Sequence, residues 1–434
     1  MNRYTKDTIF DVVEDEDVEF IRLQFADIFG TLKNIAVTTS QLEKILENQC
    51  MFDGAAIEGF ANQDMPELYL QPELDSFVIF PWRPQQGKVG RFICNVLTED
   101  GKPFVGDTRN VLKKVLAKAK EMGYSVDIGA ECEFFLFDTD EEGAATTGTK
   151  EKGSFFDIGP VDQGENARRE MVLFLEEMGF EVEASFHARE AAQHIIRFKN
   201  AEALLTADNL ITFKMVVRTV AKRHGFHATF MPKPKKELEG SGMRLTISLY
   251  NQEGKNVFTD ASRPDKISDT AYQFMAGIME HMEGMALINN PIVNSYKRFV
   301  SGFNAPVKVT CSTKDRAAML RLISFKNEGT RLELRSPDGA SNPYLVFAVC
   351  LAAGLDGIKR GLTAPALDST MTETGKVFPN TLEDAIIAFE KDKFLQDVLG
   401  EQIVTGYLDA KKQEWNRYCE EVTEWEVRKY LNQI

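Results

Sequence analysis

Strand-length segments of this chain mix apolar and polar residues in alternation, as in VEFIRLQF at 18–25 and MRLTISLY at 243–250. Side chains alternate faces along a strand, so each such segment offers one apolar and one polar face. A parallel sheet, covered on both sides, would need nearly continuous apolar runs. The pattern therefore predicts antiparallel sheets with one face on a core and the other open. Further strands are expected at 77–82, 90–97, 124–137, 181–186, 193–198, 226–230, 306–312 and 330–335. Helical periodicity covers 109–122, 164–178, 207–223, 266–287, 342–359 and 381–418, the last with a break near Gly400. The expected class is α+β, with polar strand faces lining a cleft.

A chain of 434 residues is too long for one compact core. The first hundred residues read as a small β-rich domain containing a short capped helix at 38–48. TEDGKPFVGD at 98–107 then supplies a turn cluster, so the expected domains are 1–100 and 101–434. A formal net charge of −15 argues against nucleic acid or an anionic membrane as partner. YLVFAVCLAAGLDGI at 344–358 is too short to span a bilayer and reads as a buried helix. Six cysteines without a CxxC pair, and no apolar leader at the start, suggest a reduced, cytoplasmic protein.

The chemistry concentrates in a few strands. In GAECEFFLF, residues 129–137, Glu131 and Glu133 share a face and need a cation between them. In TRLELRSPD, residues 330–338, Arg331, Glu333 and Arg335 share a face. Arg298, Arg316 and Arg321 add guanidinium forks suited to carboxylate or phosphate oxygens. Acids with arginines suit phosphoryl or acyl-phosphate chemistry; solvated ion pairs are the plainer explanation for any one segment taken alone. Gly240-Ser241-Gly242 could cradle a phosphate or simply turn a hairpin. No P-loop and no HExxH spacing occurs. His224 and His227 are explained by a helix end and a strand.

Several long motifs in order resemble the type I glutamine synthetase family. They are EFIRLQFADIFGTLKN at 19–34, MFDGAAIEGF at 51–60, GAECEFFLF, FFDIGPVDQGENARRE at 155–170, HGFHATFMPKP at 224–234, GSGM at 240–243, NSYKRFVSGFNAPV at 294–307 and TRLELRSPDGASNPYL at 330–345. The resemblance implies an N-terminal β-grasp-like domain and a catalytic-type domain built as an antiparallel half-barrel with surrounding helices. It implies a ring-forming homo-oligomer, a dodecamer of two hexameric rings, with Asp53 lent to a neighbour's site as a latch. The implied reaction phosphorylates glutamate with ATP and then admits ammonia, with magnesium or manganese holding the phosphates. Arg298, Arg316, Arg321, Arg331 and Arg335 match the family's substrate and phosphate positions, and Ser248 a nucleotide-side position.

The sequence departs from the family at the metals. Glu131, Glu133 and Glu333 match three of six ligands, but Ala188, Ile195 and Arg244 stand at the other three. Asn304 replaces the glutamate expected to take a proton from ammonium, and an amide cannot do so. Glu239 stands for an asparagine before GSG, Ala55 and Ala56 for serines, and Lys326 for an arginine. The segment 364–378 is shorter than in relatives. Magnesium demands near-octahedral oxygen ligation, which isoleucine and alanine cannot give. The expectation is that Arg244, with Arg197, supplies the missing positive charge; two unit charges ~4 Å apart attract by about 4 kcal/mol at an effective dielectric of about 20. The chain would then be a pseudoenzyme-like member binding metal weakly or not at all. Its role would be structural or regulatory in nitrogen metabolism, with an active paralogue or a regulator as possible partner. The alternative is an active ATP-dependent carboxylate–amine ligase with altered metal or amine requirement.

Overall fold

A computed structural model describes residues 4–60, 67–83, 86–300, 305–325, 329–365, 372–373 and 375–434. The N-terminal part is a six-stranded sheet. Its strands run in the order Leu32–Thr38, Val18–Ala26, Lys88–Thr98, Glu67–Pro72, Cys50–Asp53, with Val78–Ile79 also on Lys88–Thr98. Val18–Ala26 and Lys88–Thr98 pair in parallel, and the other pairings are antiparallel. The alternation in VEFIRLQF buries Ile21, Leu23 and Phe25 on one face. This is the β-grasp-like layer expected at this end. The strand expected at 77–82 shrinks to two residues, and the periodicity did not reveal the helix Lys6–Asp15, capped by Thr5.

Two further sheets follow. A seven-stranded sheet runs Ala201–Glu202, Ser125–Cys132, Met243–Tyr250, Gly329–Leu334, Leu320–Phe325, Thr310–Ser312, Thr372–Glu373. All its pairings are antiparallel except Thr310–Ser312 with Leu320–Phe325. A four-stranded antiparallel sheet runs Phe226–Thr229, Phe134–Asp138, Gln193–Phe198, Val182–His187. The single strand expected over 124–137 is thus two strands in two sheets, and the break falls at Glu133. Glu133 leaves the ladder because its N–H donates to the Gly242 carbonyl at 3.1 Å and its carboxylate accepts the Gly242 N–H at 2.8 Å. The Gly240–Gly242 turn therefore sets where the two sheets meet. The strand expected at 306–312 is confined to Thr310–Ser312, and Leu320–Phe325 is an additional strand.

Helices cover the far side of the sheets. The apolar run at 344–358 lies in the buried helix Pro343–Arg360, started by the Asn342 side chain and Pro343 and ended by Gly361 at φ 62°. It crosses Asp269–Asn289 backbone against backbone. A Cβ on Gly277 would lie 2.1 Å from the Ala353 carbonyl oxygen, and one on Gly357 would lie 2.2 Å from that of Gln273. Asn342 also donates to the Asp27 and Ile28 carbonyls at 3.1 and 3.2 Å, tying this helix to the N-terminal sheet. A second tie is Arg109, buried and bidentate on Asp208 at 3.0 and 2.9 Å, with Tyr344 Oη donating to the same carboxylate at 2.7 Å. All six cysteines are free. Among the described residues no helix is long and apolar enough to cross a membrane.

Candidate functional site

The open faces of the two sheets gather the acids and arginines singled out by the sequence. Glu131 lies on Ser125–Cys132 and Arg244 directly opposite it on Met243–Tyr250. Arg321 and Glu333 are likewise cross-strand partners. Directly opposed, oppositely charged residues are the favourable arrangement for a sheet. Arg244 Nη2 lies 2.5 Å from Glu131 Oε1, and its Nη1 lies 3.6 Å from Glu333 Oε2. Arg197, on Gln193–Phe198, donates from Nε and Nη2 to Glu131 Oε2 at 2.7 and 2.5 Å. Arg321 Nη1 donates to Glu333 Oε1 at 3.1 Å.

Both oxygens of Glu131, and both of Glu333, thus face guanidinium groups. Among the described residues no guanidinium hydrogen-bonds to Glu133; the Gly242 N–H is its donor. Desolvation pushes its carboxyl up to about 7 and Glu131 adds to the rise, while the Gly242 hydrogen bond and the charges of Arg298 and Arg244 oppose it. Glycine at 240 and 242 lets Arg298 pass close to this turn, since a Cβ on Gly240 would lie 2.7 Å from Arg298 Cγ and one on Gly242 would lie 3.1 Å from its Nη1. Arg298 is buried, donates to the carbonyls of Ser336 and Pro337 and lies over the Phe299 ring at 4.5 Å.

The remaining matched positions are less united. Arg331 lies over Phe325 at 5.2 Å, and Arg335 donates to the Arg316 carbonyl, while Arg316 itself is exposed. Ser248 is buried opposite Asp127 on Ser125–Cys132. Asp53 is exposed at a strand end, its carboxylate accepting the Ala55 N–H at 2.9 Å. Asn304 and Lys326 lie outside the described residues, as does part of 364–378.

A pair of divalent cations, as the family resemblance implies, does not fit this donor set. Ala188 is fully buried and Ile195 nearly so, and neither offers an oxygen from its side chain. Arg244 stands at the third position and is a donor only, with no lone pair to give a metal. Of the acids that remain, Glu131 and Glu333 already face guanidinium groups.

Sequence spacing missed a second cluster behind the hairpin that carries Ile195 and Arg197. Glu151, Asp162, His187 and His194 are buried, with potential ligand atoms within 4.8 Å of one another. His187 Nε2 lies 2.6 Å from Glu151 Oε1. Arg168 lies 2.8 Å from Asp162 and donates to His194 Nδ1 at 2.9 Å. Arginine can only donate, so His194 Nδ1 must accept and its proton sits on Nε2. Burial, then Arg168, pushes His194 down to about 3. Desolvation alone would raise Glu151, but the His187 hydrogen bond and neighbouring donors outweigh it and hold the carboxyl down at about 2. The cluster carries its own fixed cation in Arg168. The one signal for it in the sequence is that His187 and His194 flank a hairpin; Glu151 and Asp162 come from a separate loop.

Comparison with known proteins agrees with this architecture. The family model "Glutamine synthetase, beta-Grasp domain" matches residues 17–99, and "Glutamine synthetase, catalytic domain" matches 105–430. The chain is 51% identical over 442 aligned residues to a glutamine synthetase of Clostridium saccharobutylicum, covering all of both chains. It is 44% identical to a glutamine synthetase of Staphylococcus epidermidis, covering 99% of each. Among solved structures, a GmaS/ADP complex superposes with a TM-score of 0.88 at 31% identity, over 97% of this chain and 99% of that one. A Plasmodium falciparum glutamine synthetase matches in fold with a TM-score of 0.89 at 23% identity, over 99% of each chain.

Proposed function

Because the chain belongs to the glutamine synthetase family, we propose that it is a member whose cation seat is closed by arginine. It then serves a structural or regulatory role in nitrogen metabolism and lacks, or nearly lacks, glutamate–ammonia ligase activity. The observation that carries this reading is Arg244 reaching from Glu131 to Glu333. In the family, ATP and divalent metal supply the phosphoryl chemistry; here Ala188, Ile195 and Arg244 give a cation no oxygen, and transfer from ATP needs its cations. The same reading includes a division near residue 100, a cytoplasmic location and self-association into the family's rings. An active paralogue or a regulator would be the partner through which such a ring acts.

A second reading, an active ATP-dependent carboxylate–amine ligase with altered metal or amine requirement, is supported by the comparisons. Identity of 51% along the whole chain to a named glutamine synthetase, and likeness to GmaS with ADP, weigh for it more than for the first. The first rests on the side chains at the seat. The test is phosphate release from ATP with glutamate and a panel of amines, ammonia included, in magnesium and then manganese. Release at the level of a no-enzyme control is expected. Turnover that Glu133→Gln abolishes would establish the second reading and end the first.

A further inference from the structure

Along the cleft, charged groups alternate in the order Arg197, Glu131, Arg244, Glu333, Arg321. The row begins and ends on a cation, so positive charge is left over. Glu133 stands outside this row, its carboxylate held by the Gly242 N–H. Arg298 is offset by Asp338 and Glu133, whereas the charge on Arg335 is disfavoured by burial and, despite Glu333 and Glu133, by Arg244 and Arg321. A place that would repel a metal ion therefore attracts the opposite sign.

The surplus is accessible. Arg197 uses Nε and Nη2 on Glu131, and its Nη1 makes no hydrogen bond among the described residues. Its side chain is 39% exposed and that of Arg244 is 37% exposed, while Glu131 between them is 12% exposed. Arg244 commits Nη2 to Glu131, and its Nη1 stands 3.6 Å from Glu333, beyond a hydrogen bond. Glu131 thus steadies two guanidinium groups whose outward edges keep donors for a ligand. Planar forks in a fixed relation suit an oxyanion, and surplus charge favours a dianion over a monoanion.

The geometry points to a metal-independent oxyanion site on Arg197 and Arg244, taking a phosphate-type dianion directly on guanidinium. This rests on the reading of a cation seat closed by arginine, and it adds a ligand class and two residues to that reading. No covalent step is involved; the anion exchanges with solvent and keeps its charge.

The experiment is titration calorimetry with inorganic phosphate and with pyrophosphate, once in EDTA and once in magnesium. Binding of equal strength in both buffers is expected. Arg197→Ala should weaken it about tenfold, the worth of one charge-assisted hydrogen bond, and Arg197→Lys, which keeps charge without the fork, should weaken it less. Melting curves check that both variants fold, and the lysine variant retains the pairing charge for Glu131. No binding at millimolar anion, binding only with magnesium, or binding unchanged in both variants would each overturn the site. Ligase turnover is followed on the same preparation. Turnover would remove the proposed function; absent turnover with absent binding removes this inference alone.

Discussion

Glu133 sits where one strand ends and another begins, with its carboxylate on the Gly242 N–H. Its folded-state value of about 7 lies above the ordinary 4.5. Between those values the folded protein holds a proton that the unfolded chain has released, so this group's contribution to stability falls as pH rises from about 4.5 to about 7. Glu133→Gln should remove that slope, which is on the order of 1–3 kcal/mol, while an amide oxygen still accepts from Gly242. Urea denaturation at about pH 5 and about pH 7.5 measures it; a variant with the wild-type slope would contradict the assignment. At this scale much of the site was legible. Period-two spacing put Glu131 and Glu133 together, and Arg244 beside them followed from its place after GSGM. The Glu151–His187 pair was not legible, because it joins residues 36 apart through a loop with no periodicity.

The elements were legible where periodicity is long and unbroken, as in the helices Pro343–Arg360 and Asp269–Asn289. The break at Glu133 was not, since the apolar run that follows it carries the strand signal onward and only a hydrogen bond to a distant turn decides it. The strand Leu320–Phe325 was hidden because its alternation includes Arg321, whose partner Glu333 lies on another strand. Elements are joined by buried charge as well as by apolar packing. Arg109 reaches Asp208 from one helix to another, and Asn95 and Glu73 from the N-terminal sheet also accept from it. Asp208→Ala leaves that buried cation without its bidentate partner and should cost about 3–5 kcal/mol. Asp208→Asn should cost less, because it keeps one acceptor for Arg109 or Tyr344. Thermal melts of the two variants decide the order, and equal losses would contradict the ion-pair account.

For the whole molecule, a cleft neutralised by its own arginines predicts indifference to metal. A ligand present at a hundred times its dissociation constant stabilises the state it binds by about 2.7 kcal/mol. Millimolar magnesium or manganese should therefore leave the melting temperature unchanged, whereas a rise of several degrees would show a competent metal site. The cleft's shape also depends on its far side. Asp269–Asn289 ends at Asn289 and Asn290, which hold Ser336 and Asp338. The partner helix begins just after them, at Pro343. Where the two helices cross, at Gly277 and Gly357, the backbones touch with nothing between. A contact of bare main chain has no rotamer to yield, so a single added methyl would wedge the axes apart and carry the chain around Arg335 with them. The arginine side of the cleft keeps its alignment because, where two buried helices cross, two residues have no side chain at all.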